Sequence, residues 1–148
     1  MRFWDASAIV PLLLEEESSA RVAALLSADR EMTVWWVTQL ECVSALRSAE
    51  RANRLDQQGL LTALEILDDL SARWSEVSPS ESIRWGARRL LLVHALRTAD
   101  ALQLAAALSI SGERGEGPEF VALDERLRDA AAREGLRVVP ARSELPPR

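Results

Sequence analysis

The stretch Arg2-Phe3-Trp4-Asp5-Ala6-Ser7-Ala8-Ile9-Val10-Pro11-Leu12-Leu13-Leu14 sets an acid between an apolar triplet and a helical pattern. Arg2 to Trp4 reads as a short buried strand that stops at Asp5, and a helix starting near Ser7 carries Ile9, Leu12 and Leu13. The same arrangement returns near the other end of the chain. Glu119 to Leu123 reads as a strand ending at Asp124, Glu125 to Glu134 as a helix closed by Gly135, and Leu136 to Val139 as a last short strand. Between them, Met32 to Val37, rich in Val and Trp, is a second strand. Thr38 opens a helix to about Arg51, and Leu60, Leu61, Leu64 and Leu67 mark another from about Leu55 to Ser71. Trp74 to Val77 is a weak third strand. A helix then starts at Ser78-Pro79-Ser80-Glu81, where a cap, an N1 proline and an acidic first turn coincide; its stripe is Ile83, Ala87, Leu90 and His94. Thr98 caps an Ala/Leu-rich helix from about Ala99 to Ser109. Strands alternating with helices of this length predict an α/β fold, a parallel sheet covered by helices on both faces. Ligands of such sheets bind beyond the carboxyl ends of the strands.

At 148 residues the chain has room for one domain at the usual one per ~150 residues. Residues 1–148 are expected to form a single domain whose tail, 141–148, is loosely held. Apolar residues at 48% and charged residues at 28% are the mix of a compact domain with an adequate core. The apolar run Ala8 to Leu14 is too short to span a bilayer, and Glu15-Glu16-Glu17, expected to be a solvated helix end, follows at once. No membrane helix or signal peptide is readable. One cysteine forms no internal disulfide, which fits a cytoplasmic setting.

The charged residues include 18 Arg and no Lys. That excludes a P-loop lysine on a nucleotide phosphate, a Schiff-base enzyme and a lysine general base. Tyr is absent as well, and His94 and Cys42 are single, so zinc held by nitrogen and sulfur is ruled out within one chain. Catalysis must run mainly on Asp, Glu, Ser, Thr and Arg. A net charge of −5 argues against indiscriminate nucleic-acid binding by a basic surface, but leaves open a nucleic acid brought in through bound cations.

Four acids fall at strand ends or in the first turns of helices: Asp5, Glu41, Asp100 and Asp124. In a parallel sheet these places share one edge. Each acid also has a plain structural reading. Thr38-Gln39-Leu40-Glu41 matches a capping box, Asp100 complements a helix dipole, Asp124 suits an N-cap and Asp5 a turn. The structural readings are independent, whereas a common function demands all four at one edge. Four crowded carboxylates repel unless a cation sits among them. Oxygen-only ligation favours Mg²⁺ or Mn²⁺, an arrangement suited to phosphodiester hydrolysis by an activated water.

Trp4-Asp5-Ala6-Ser7-Ala8, Leu40-Glu41-Cys42-Val43-Ser44-Ala45-Leu46, Leu96-Arg97-Thr98-Ala99-Asp100-Ala101-Leu102-Gln103-Leu104-Ala105 and Phe120-Val121-Ala122-Leu123-Asp124-Glu125-Arg126-Leu127 resemble, in this order, the four acidic motifs of PIN-domain ribonucleases. They are most similar to those of the VapC-type toxins of bacterial toxin–antitoxin pairs. The resemblance implies a three-layer α/β/α sandwich around about five parallel strands, a Mg²⁺- or Mn²⁺-dependent endoribonuclease acting on RNA, a homodimer, and inhibition by a small VapB-like antitoxin. It makes Asp5, Glu41, Asp100 and Asp124 the metal-binding catalytic carboxylates and gives Ser7 a supporting role, holding a water or orienting Asp5. Two positions depart from the pattern: Ala122 stands where relatives often have Thr or Ser, and Gln103 where a His is frequent.

Arg97 and Arg126, each close to a candidate ligand, are the candidates for substrate phosphate, because the guanidinium fork matches phosphate oxygens. Arg84, Arg88 and Arg89 read as a solvated face. His94 continues an apolar stripe and Cys42 reads as packing. Trp35 and Trp36 are both expected under the helices. Two other readings stand beside the toxin: a housekeeping PIN nuclease that processes RNA, and a non-catalytic α/β interaction module whose acids are only caps and turns. A phosphoacceptor receiver domain is disfavoured by the missing lysine.

Overall fold

Phe3 and Trp4 are both fully buried, yet they belong to different cores. Successive side chains of a strand point to opposite faces, and here both faces are covered. The computed structural model describes residues 1–112 and 117–145. Its five strands are β1 (Arg2–Trp4), β2 (Met32–Trp35), β3 (Ser75–Val77), β4 (Glu119–Val121) and β5 (Val138–Val139). All pairings are parallel, in the order β3-β2-β1-β4-β5. Phe3 lies opposite Phe120 in register, and their rings stack at 5.8 Å. The α/β/α expectation is therefore met.

The helices are α1 (Ala6–Leu13), α2 (Ser19–Ala28), α3 (Thr38–Arg51), α4 (Gln57–Ser71), α5 (Glu81–Val93), α6 (Thr98–Ser109) and α7 (Glu125–Arg133). Trp4, Val34 and Val121 pack with Ile9, Val22, Leu46 and Leu67, so α1 to α4 cover one face. Phe3, Trp35 and Phe120 pack with Leu90, Leu104 and Leu127, so α5 to α7 cover the other. None of the described helices is long and apolar enough to cross a membrane.

Several sequence expectations shift. Helix α2 was not legible: Val22 is its one fully buried apolar residue, Leu25 and Leu26 are only partly buried, and no side chain caps its start. Glu15, Glu16 and Glu17 lie in the connection between α1 and α2 rather than at a helix end. Strand β2 stops at Trp35, and Trp36 is 55% exposed instead of buried. Its N–H still donates to the Val77 carbonyl at the end of β3, at 3.2 Å, while its side chain faces solvent. Ser80, not Ser78, caps α5, accepting from the Ile83 N–H, so Pro79 precedes the helix. His94 ends α5 as its C-cap. In the tail, residues 142–144 form a 3₁₀ turn tied by Arg142 to Glu125 and by Glu144 to Arg21; residues 146–148 lie outside the described part, as do 113–116 of the glycine-bearing loop after α6.

Candidate active site

Asp5 follows β1 directly and extends the ladder, its N–H donating to the Val121 carbonyl at 2.9 Å. Its carboxylate accepts from the Ser7 N–H at 2.9 Å and caps α1. Asp124 sits three residues past β4 and caps α7, accepting from the Leu127 N–H at 3.0 Å. Both strand ends point the same way in a parallel sheet, so both acids stand at one edge. Glu41 lies in the first turn of α3, which leaves that edge from β2. Asp100 lies in the first turn of α6 and accepts from the Arg97 N–H at 3.3 Å. Thus the cap reading holds for Asp124, whereas Asp5, read as a turn residue, caps α1, and Asp100 makes half of a capping box. For Glu41 the capping box fails. Thr38 is the first residue of α3 and Val37 its cap, so Thr38 makes no cap bond; instead Gln103 of α6 donates to its hydroxyl at 3.1 Å and to Glu41 Oε2 at 2.8 Å.

Ser7 binds the two acidic turns together. Its hydroxyl accepts from the Leu123 N–H at 2.9 Å and the Asp124 N–H at 3.3 Å. One small side chain at the start of α1 therefore fixes the turn that presents Asp124.

The acids form an inner and an outer pair. Asp5 is 5% exposed, and Asp124 faces solvent. Burial pushes the Asp5 carboxyl up to about 6 against the opposing hydrogen bonds from Ser7, with the charges of Asp100 and Asp124 adding to the rise. Burial likewise pushes Glu41 up to about 7 against the Gln103 hydrogen bond, with Asp5 and Asp100 adding to it. Each inner acid thus feels two others, although among the described residues no three Asp, Glu, His or Cys side chains are gathered tightly enough to form a ready cation cage. The donor set still fits a hard divalent cation. Every donor is a carboxylate oxygen, the inner pair carries unrelieved repulsion, and Glu41 Oε1 is buried with no hydrogen-bond partner. A buried oxygen with unused lone pairs is costly unless something binds it.

Comparison with known proteins agrees with this geometry. The model described as PIN domain matches residues 2–133. The chain belongs to the PIN domain family. Over 140 residues it is 34% identical to Ribonuclease VapC45 of Mycobacterium tuberculosis (strain CDC 1551 / Oshkosh) and to Ribonuclease VapC49 of M. tuberculosis (strain ATCC 25618 / H37Rv), covering 94% of this chain and 94% of each relative. The resemblance of the chain to PIN-domain ribonucleases of the VapC kind is borne out. Among solved structures, PAE2754 from Pyrobaculum aerophilum superposes with a TM-score of 0.63 at 21% identity over 93% of this chain and 83% of that one. FitAcB from Neisseria gonorrhoeae does so at 0.64 and 17% over 93% and 96%. At those identities the likeness is one of fold.

Around the acids of this PIN domain, Arg97 and Arg126 are exposed, with no ion pair to either among the described residues. Cys42 is buried and its thiol pushed up to about 12, chiefly by burial, so it packs and does not react. His94 binds Glu134 at 2.7 Å, pinning the end of α5 to the end of α7. Two contributors escaped the sequence reading. Gln103 was seen only as a departure, although a buried amide three residues after Asp100 lies on the same helix face and signals a partner. Arg128 gave no signal: its guanidinium is buried and donates to the Ala122 carbonyl at 2.6 Å and the Pro140 carbonyl at 2.7 Å, clamping the ends of β4 and β5 beneath Asp124.

Proposed function

We propose that this chain is an endoribonuclease toxin of the VapC kind, hydrolysing RNA phosphodiester bonds with the help of a divalent cation, Mg²⁺ or Mn²⁺, and held in check by a small VapB-like antitoxin in the cytoplasm. The observation that carries the reading is the delivery of Asp5, Glu41, Asp100 and Asp124 from four segments to one sheet edge, with the inner pair raised by burial and by neighbouring charge. The relatives named ribonucleases, similar over nearly the whole chain, support the same chemistry.

In this reading the four carboxylates hold the cation, which when bound neutralises phosphate charge and makes a water nucleophilic at neutral pH. Gln103 keeps Glu41 ionised and aimed by donating to one of its oxygens, leaving the other free. Ser7 holds the β4–α7 turn so that Asp124 is presented beside Asp5. Arg97 and Arg126 bind phosphate oxygens and align the scissile bond. The homodimer is built on α5, which exposes Trp85, Leu92 and Val93 by 62%, 75% and 61%. Trp85 and Leu92 lie two turns apart on one face, with the Arg88 guanidinium 5.5 Å from the Trp85 ring. Paired Trp85→Glu and Leu92→Glu substitutions are expected to give a monomer by light scattering.

The deciding experiment is cleavage of RNA by purified protein. Mg²⁺ or Mn²⁺ should support discrete cuts and EDTA should stop them. If Asp5→Asn and Asp100→Asn proteins cut as fast as the unsubstituted chain, the reading is wrong.

A further inference from the structure

A pocket of about 140 Å³, lined by none of the four acids, lies between the α5–α6 connection and one face of α7. His94, Ala95 and Leu96 form one wall; Arg126, Asp129, Ala130 and Arg133 form the other. The α7 residues are spaced by three, one and three, so they lie along a single helix face. Arg126 and Arg133 are seven residues apart, about 10 Å along the axis. Both are exposed, and neither has an ion pair among the described residues. Most other arginines of this acidic chain do have a carboxylate or a ring: Arg2, Arg21, Arg47, Arg54, Arg84 and Arg89 are examples. In a chain of net charge −5, this face sets two guanidinium groups without an ion pair among the described residues along one helix, with the single carboxylate of Asp129 between them.

Both walls of the pocket are joined along the chain to segments that carry candidate acids. Arg126 stands two residues past Asp124, in the first turn of α7. The opposite wall runs from His94, fixed to Glu134, through Leu96 to Arg97 and the first turn that carries Asp100. The His94–Glu134–Arg89 cluster makes this wall rigid, with Glu134 accepting from both partners. A guanidinium pair facing a fixed wall, beside the proposed phosphodiesterase centre, matches the backbone of a single nucleic-acid strand.

We infer that the groove between the α5–α6 connection and α7 is a subsite for single-stranded RNA, in which Arg126 and Arg133 bind backbone phosphates flanking the scissile bond. The inference rests on the ribonuclease reading and extends it to Arg133, which no acidic motif includes. Asp129, between the two arginines, opposes the strand and tunes its affinity downward.

The test uses a short fluorescent single-stranded RNA and the Asp5→Asn protein, so that binding is read without cleavage, by anisotropy across a salt series. Arg126→Ala and Arg133→Ala are each expected to weaken binding about tenfold and to reduce the slope of log affinity on log salt by about 0.7, with melting temperature unchanged. Asp129→Asn is expected to tighten binding. Unaltered affinity and slope in both arginine variants, in a protein whose Asp5 form cuts RNA, overturn the subsite and leave the ribonuclease reading standing. A protein that neither binds nor cuts RNA overturns both. Loss of binding to an acidic peptide with RNA binding intact assigns the groove to a protein partner and also overturns the proposal.

Discussion

The side-chain amide of Gln103 on α6 donates a 2.8 Å hydrogen bond to Glu41 on α3, joining two acidic segments that lie 62 residues apart. Gln103 is 1% exposed, and its amide is the one hydrogen-bond partner shown for the Glu41 carboxylate. Removing it takes away the contact that favours the ionised form, so Glu41 rises further above its already high value. Gln103→Leu is expected to cost about 2 kcal/mol of stability and to move the alkaline onset of RNA cleavage to higher pH. Gln103→His, which keeps a ring N–H donor at a position where PIN-domain relatives often carry His, is expected to restore much of both. A pH–rate profile identical in the Leu variant and the parent chain is the result that rejects this role.

Stability should fall as the pH rises toward neutrality in the absence of divalent cations. Asp5 and Glu41 both have folded values raised, to about 6 and about 7, by burial first. Unfolded carboxyls titrate near 4, so between that value and about 7 the folded chain binds more protons than the unfolded one. Stability is then highest below about pH 4.5 as far as these groups are concerned, and it declines through the folded values. For Asp5 the loss at neutral pH is on the order of 3 kcal/mol. In EDTA, the melting temperature is expected to drop between pH 5 and pH 8, and Asp5→Asn to flatten that slope. A melting temperature that climbs over the same interval contradicts the assignment.

Ser7→Ala leaves the Leu123 and Asp124 N–H groups without their acceptor. The turn that presents Asp124 then loses its fixed position relative to Asp5. The substitution is expected to cost about 1–2 kcal/mol and to lower RNA cleavage more than it lowers RNA binding. Comparing single-turnover rates with binding of the same RNA separates the two effects. Equal losses in rate and affinity count against a positioning role.

The sheet and its acidic edge were readable because strand, acid and helix follow one another in short order at Asp5 and Asp124. Local sequence is sufficient there, since the acid caps the very helix that follows it. Glu41 misled for the same reason. A capping box needs Thr38 as the N-cap, but α3 begins with Thr38 itself, and the buried Gln103 amide then binds Thr38 and Glu41 at once. Trp36 and α2 were lost to context. Whether a Trp beyond a strand end is buried depends on which edge of the sheet the strand meets, and α2 is held by packing that its Ser- and Ala-rich pattern barely registers. Arg128 carries no signal in the sequence, since the two carbonyls it binds come from strand ends that are apart in sequence.

Arg128 is accordingly a stringent site. Its guanidinium fork joins the Ala122 and Pro140 carbonyls with little exposure to solvent. Arg128→Lys keeps the charge but presents no planar fork and reaches only one carbonyl. Both Arg128→Lys and Arg128→Met are expected to destabilise the chain by about 2–3 kcal/mol, Met more than Lys. Urea titration followed by tryptophan fluorescence measures this, and a Lys variant as stable as the parent chain shows that the fork is dispensable.

A divalent cation should stabilise this chain most where its carboxylates repel most. At pH 8 the inner acids are largely ionised in the folded state, and the field among Asp5, Glu41, Asp100 and Asp124 is at its strongest. A cation that binds the folded chain alone raises stability by mass action, about 2.7 kcal/mol at a hundredfold excess over its dissociation constant. Near pH 5 protons compete for the same oxygens, so the gain should shrink. Adding Mn²⁺ is therefore expected to raise the melting temperature clearly at pH 8 and weakly at pH 5. In Asp5→Asn the pH 8 gain should be mostly lost, because the most buried oxygen donor has become a neutral amide. Ca²⁺, which prefers more ligands at longer distances than four carboxylates and water supply, should stabilise less than Mn²⁺. Equal stabilisation of the parent and Asp5→Asn proteins at pH 8 places the cation elsewhere and removes the acidic edge as its site.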